Sequence, residues 1–134
     1  MAEFQIYEEL NALIDRYRED IVRDTQRLVA YNSIYEESDK PGEPFGPKIA
    51  EALDGTLALA AGMGFSTRNV DGYMGVIDMG EPTLGKKIGM IAHIDIVPAG
   101  DGWTYPPFAG EIVDGKLYGR GSVDDKGPLV AALY

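Results

Sequence analysis

Apolar side chains at Leu10, Leu13, Ile14, Tyr17, Ile21, Leu28 and Val29 recur with the spacing of one helix face, and predict a helix over Phe4 to Tyr31. Asp15, Arg16, Glu19 and Arg23 fall on the opposite side and read as its solvated face. The pattern stops at Tyr35 to Pro47, YEESDKPGEPFGP, a polar stretch dense in Pro and Gly that reads as a loop. A second helix is predicted from Lys48 to Met63, with Ile49, Leu53, Leu57 and Leu59 to bury and Gly55 weakening its centre. Gly62 and Gly64 end it.

The period then changes. Ser66 to Val70, Tyr73 to Met79 and Lys87 to Asp95 read as extended segments, joined by Asp71-Gly72 and by a turn from Glu81 to Gly85. Ile88, Met90, Ile91 and Ala92 make the third apolar on both faces, as expected of a central strand covered from both sides. Gly110 to Val113 and Lys116 to Tyr118 flank Asp114-Gly115, a hairpin signature. Gly119 and Gly121 allow a sharp turn, after which Asp124 and Asp125 open an apolar, helix-like segment that tolerates Pro128 in its first turn. These elements predict a three-layer αβα domain of α/β class with a mixed, mostly parallel sheet.

Composition narrows the function classes. Twelve Lys and Arg stand against 22 Asp and Glu, and the net charge of -10 repels phosphate backbones and anionic membranes, which argues against nucleic-acid and membrane partners. With 0 Cys there is no disulfide and no thiolate ligand, so any metal must be held by nitrogen and oxygen. The start, MAEFQIYEEL, carries charges where a signal peptide needs an apolar run, and a cytoplasmic location is expected. A length of 134 residues suffices for one domain with a core.

The chemistry concentrates at the single histidine. His93 ends a hydrophobic run as His-Ile-Asp, and on an extended segment His93 and Asp95 project to the same side. One can bind a metal while the other holds its second ring nitrogen. Downstream, Asp124 has two readings: a helix cap, satisfying orphan N–H groups at the positive end of the dipole, or a metal-bridging carboxylate. Trp103, Tyr105 and Phe108, in PAGDGWTYPPF, read as a small packed lid ahead of a substrate wall. Arg120 reads as a partner in a surface ion pair ahead of a holder of a substrate carboxylate.

HIDIVPAGDGWTYPPFAGEIVDGKLYGRGSVDDKGP resembles the two opening motifs of the di-zinc metallopeptidases of the aminoacylase and carboxypeptidase superfamily. The Asp-Asp-Lys-Gly-Pro ending and the GDGWTYPPF loop are most similar to the branch of dipeptidase V and the carnosinase-like Xaa-His dipeptidases. The resemblance implies His93 as ligand of one zinc, Asp124 as the carboxylate bridging both, and Asp95 as the catalytic-site carboxylate behind His93. It also implies a cis peptide between Asp124 and Asp125, and gives Asp125, at a position often occupied by Met, no ligand role.

The implied cofactor is zinc, two ions per complete site, with cobalt or manganese as substitutes. The implied activity is hydrolysis of dipeptides of Xaa-His or β-Ala-Xaa type, and an N-acyl amino acid deacylase is the alternative enzyme. The remaining ligands and a glutamate general base lie downstream in that family. The 134 residues are thus expected to be the amino-terminal part of the catalytic domain, without the rest of that domain or a second, lid or dimerisation domain. Such a fragment is expected to be inactive by itself, binding metal weakly or not at all, and to self-associate through an open sheet edge and the apolar end Val130 to Tyr134.

Overall fold

The computed structural model describes residues 2–80 and 85–134, and side-chain surroundings from residue 6 onward. The predicted turn from Glu81 to Gly85 lies, except for Gly85, outside the described residues. Three helices and four short strands follow one another: α1 Ala2–Val29, α2 Pro47–Gly62, β1 Ser66–Val70, β2 Met74–Asp78, β3 Glu111–Val113, β4 Lys116–Tyr118 and α3 Lys126–Leu133. The mixture of helices and strands is that of an α/β domain.

The strands form two separate antiparallel pairs, β1 with β2 and β3 with β4. Both hairpins turn on an Asp-Gly step in left-handed backbone, Asp71 at φ 51 with Gly72 at φ 76 and Asp114 at φ 51 with Gly115 at φ 72, as the sequence predicts. Helix α2 lies against the first hairpin and buries Ile49, Ala52, Leu53, Leu57 and Ala60. The centre of the molecule lies where the end of α1 meets α3. There Leu28, Leu129 and Val130 pack together, with Ile21, Tyr31, Leu59 and Ile94 against them. Val130 of the apolar end is fully buried.

Two expectations are corrected. Residues 87–95 form no strand. Among the described residues the nearest sheet-like tie is a single parallel bridge from Ile34 to Ile96, just beyond the segment, and Ile88 is 98% exposed and Ile91 100%. An apolar pattern records what a segment can bury, but a ladder needs neighbouring strands, and among the described residues both hairpins pair only internally. Likewise the first turns of α1 keep the predicted apolar stripe, yet Leu10, Leu13 and Ile14 remain exposed because nothing among the described residues packs on them.

The join between the helices is polar at one point. Asp24 of α1 is buried, and its carboxylate accepts the Tyr134 hydroxyl at 2.7 Å, Arg27 Nη1 at 3.0 Å and Arg23 Nε at 3.2 Å. Gly121, between β4 and α3, has φ 83, and a Cβ there would lie 2.7 Å from Cγ2 of buried Ile96. Gly121→Ala is expected to destabilise the protein by about 1–3 kcal/mol, from backbone strain plus the clash. Thermal unfolding beside the parent and Gly62→Ala, where a Cβ would meet nothing within 4 Å, checks the value; an unchanged Tm for Gly121→Ala would refute the packing argument.

Candidate metal centre

His93 arrives at its position on an extended segment that becomes anchored just afterwards. Ser33 Oγ donates to the Ile94 carbonyl at 2.6 Å, and the Ile96 N–H donates to the Ser33 carbonyl at 3.0 Å. Asp124 arrives from the other direction, on the turn that follows Gly121 and enters α3. The turn is fixed by hydrogen bonds from Ser122 N–H to the Gly119 carbonyl, 3.2 Å, and from Lys126 N–H to the Gly121 carbonyl, 3.0 Å.

The two segments meet at the histidine ring. Nε2 of His93 lies 2.9 Å from Asp124 Oδ1, while Nδ1 lies 3.2 Å from both the carboxylate Oδ1 and the main-chain carbonyl of Asp95. The Asp124–Asp125 peptide is cis. All three residues singled out from the sequence are therefore brought together, with Asp95 on the ring nitrogen opposite Asp124. The cap alternative is not realised: α3 has Asp125 at its N-cap without a side-chain cap hydrogen bond, and Asp124 turns its carboxylate to His93.

Electrostatics follow from that placement. Both ring nitrogens face acceptors, so the ring is satisfied either as an imidazolium or with a cation replacing the Nε2 proton. Partial burial alone would lower the His93 pKa, but the hydrogen bond to Asp124 and the contacts with Asp95 outweigh it and raise the pKa above its ordinary value. An imidazole nitrogen and a carboxylate oxygen are donors of the kind zinc takes. Asp124 is 87% exposed, and among the described residues no group of three or more His, Asp or Glu converges to hold a metal ion. The residues therefore fit a metal in kind and supply part of a ligand set.

Two neighbours escaped the sequence reading. Asp125 Oδ2 accepts the backbone N–H of His93 at 3.1 Å. Lys126 is 1% exposed, and its Nζ donates to the Tyr31 carbonyl at 2.6 Å, tying the start of α3 to the end of α1; burial lowers its pKa to about 8. The sole sequence signal was a charged pair at the opening of an apolar helix, which residues on solvent would share.

Arg120 makes no ion pair among the described residues, contrary to expectation. It lies over the Trp103 ring at 5.4 Å and donates to the Ala99 carbonyl at 3.3 Å. With Tyr105, Tyr118 and Asp101 these residues line a cavity of about 540 Å³. The aromatic loop is half-buried, and the Trp103 indole N–H donates to the Ala99 carbonyl at 2.9 Å, closing the loop on itself.

Residues 89–134, which include His93 and Asp124, match the sequence profile described as Peptidase family M20/M25/M40. The chain is 46% identical over 120 residues, 89% of its length, to "Putative dipeptidase YtjP" of Bacillus subtilis (strain 168). It is 38% identical over 122 residues, 90% of its length, to "Putative dipeptidase SSP1012" of Staphylococcus saprophyticus subsp. saprophyticus. Over 124 residues, 91% of its length, it is 39% identical to "Beta-Ala-Xaa dipeptidase" of Lactobacillus delbrueckii subsp. lactis. The chain spans 26% of the length of each of these relatives. Through this segment the chain belongs to the M20/M25/M40 peptidases.

Proposed function

We propose that this chain is the amino-terminal part of the catalytic domain of a zinc-dependent dipeptidase, whose full domain has three αβα layers and whose remaining ligands, general base and second domain lie in the rest of the protein. The observation that carries the reading is the His93 ring held between Asp124 at 2.9 Å and Asp95 at 3.2 Å. A ligand histidine with a carboxylate on its second nitrogen is the arrangement that fixes the tautomer and raises ligand basicity. Support for a dipeptide substrate comes from the relatives, three of which carry dipeptidase in their names.

His93 Nε2 and Asp124 Oδ1 would hold the metal, with Asp124 in the bridging role. The chemistry zinc supplies when bound is polarisation of the peptide carbonyl and activation of water near neutral pH. Asp95 fixes the ring and keeps the proton on Nδ1. The start of α3 holds Asp124 opposite. Proton transfer to the leaving amine falls to a glutamate outside these residues, so the isolated chain is expected to bind metal weakly and to turn over nothing. The exposed segment 86–93 finds its ladder partners in the rest of the domain. In the isolated chain it favours self-association. Among the described residues no helix is long and apolar enough to cross a membrane.

The test is the full-length protein on a panel of Xaa-His and β-Ala-Xaa dipeptides beside N-acetyl amino acids, with chelator and with zinc restored. Chelator-sensitive cleavage of dipeptides is expected. Cleavage confined to the N-acetyl amino acids would favour the deacylase instead, and chelator-insensitive turnover would refute the metal centre.

A further inference from the structure

The position of Asp125 is that of a helix N-cap, where an aspartate ordinarily accepts an N–H of the first turn. It does not do so here. Its carboxylate is turned away from α3 and receives the backbone N–H of His93 at 3.1 Å, across 32 residues of chain. Resting on the metal-centre reading above, we propose that Asp125 is a positioning residue for His93: it clamps the histidine's backbone and so sets where the imidazole stands relative to Asp124.

The need for such a clamp follows from the fold. Residues 86–93 have no ladder partner among the described residues, and the segment is first anchored at Ile94 and Ile96, on the far side of the histidine. Without Asp125 the backbone of His93 would be held from one side only. Side-chain direction on an extended segment follows from the backbone, so a free backbone means a wandering ring. A carboxylate acceptor is stronger than a neutral one, which suits a contact open to water.

The clamp also has a rigid base. The Asp125 carbonyl accepts the Leu129 N–H at 2.8 Å within α3, and the next residue, Lys126, is buried and bonded to the Tyr31 carbonyl at 2.6 Å. Two consecutive residues on one fixed turn thus grip one histidine, Asp124 by its ring and Asp125 by its backbone. The choice of carboxylate rather than a cap sacrifices a helix-end contact for one at the site.

The test uses the full-length protein with Asp125→Asn, which keeps a carbonyl acceptor, and Asp125→Met, whose longer side chain offers only a weak thioether acceptor. Two quantities are measured: hydrogen exchange of the peptide covering residue 93 in metal-free protein, and zinc affinity by competition with a chromophoric chelator. Asp125→Met is expected to speed exchange at this peptide about 10-fold and to weaken zinc binding about 10- to 100-fold, while Asp125→Asn stays within a few-fold of the parent in both. Exchange or zinc affinity unchanged in Asp125→Met overturns the proposal, as does Asp125→Asn behaving like Asp125→Met. Should Asp125→Met fail to fold, the proposal stands or falls on Asp125→Asn keeping both properties. His93→Ala is the separate arm for the metal centre: zinc retained there refutes that reading, while exchange in the metal-free variants still decides the clamp.

Discussion

His93→Ala in the full-length protein is expected to lower dipeptide hydrolysis about 100-fold or more and to remove most of the bound zinc, with Asp124→Ala at least as severe. The argument is one of donor count. Zinc takes three or four protein ligands, and each of these substitutions deletes one, Asp124 being the one assigned to bridge two ions. Asp95→Ala should be milder, about 10- to 100-fold in zinc affinity, because the ring it orients at 3.2 Å remains present. Metal content by atomic emission and kcat/KM on one cleaved dipeptide check the ordering. Asp95→Ala more damaging than His93→Ala would invert the assignment of ligand and orienting group. The 134-residue chain alone is expected to show no turnover, since absence of a general base typically costs 10²- to 10⁴-fold before any loss of metal is counted.

The second large effect is structural and lies away from the site. Asp24→Ala is expected to destabilise the protein by about 2–3 kcal/mol, whereas Tyr134→Phe should cost about 1 kcal/mol. Asp24 is 2% exposed and accepts the hydroxyl of Tyr134, just past the end of α3, tying it to α1. Its loss removes that tether and leaves a small cavity, but Arg23 and Arg27 reach solvent and are not stranded, which keeps the cost below that of a fully buried ion pair.

The pH dependence follows the same contacts. Burial works to raise the Asp24 pKa, but the Tyr134 hydroxyl and the two guanidinium groups prevail and hold it below its ordinary 3.8. A folded-state value below the unfolded one means that the stabilisation is complete above the ordinary value and is lost as pH falls through the folded one. Urea unfolding at pH 7 and near pH 3 should show the gap between parent and Asp24→Ala narrowing at acid pH. A gap that widens on acidification would contradict the assignment.

Much of this architecture was legible from residue order. The 3.6-residue spacing of Leu53 and Leu57, the Asp-Gly pairs at 71–72 and 114–115, and the glycines after β4 each act within a few residues, so local rules suffice for them. The pairing of His93 with Asp95 was equally legible, since residues two apart on an extended segment face the same side. Burial was less so. Ile88 and Ile91 have the composition of a covered strand and lie open, because burial belongs to the neighbour as much as to the residue.

By itself, the sequence determined the helices, the hairpins and the identity of the polar residues at the site, all consequences of backbone preference and side-chain chemistry acting locally. Only the tertiary structure decided what those residues do to one another. It set Asp125 on the His93 backbone instead of on its own helix, buried Lys126 beneath the turn, and gave Arg120 an indole ring in place of an ion pair. The physical reason is that hydrogen bonds and desolvation depend on distance in space, and contacts such as that between residues 93 and 125 exist only once the intervening chain has folded back.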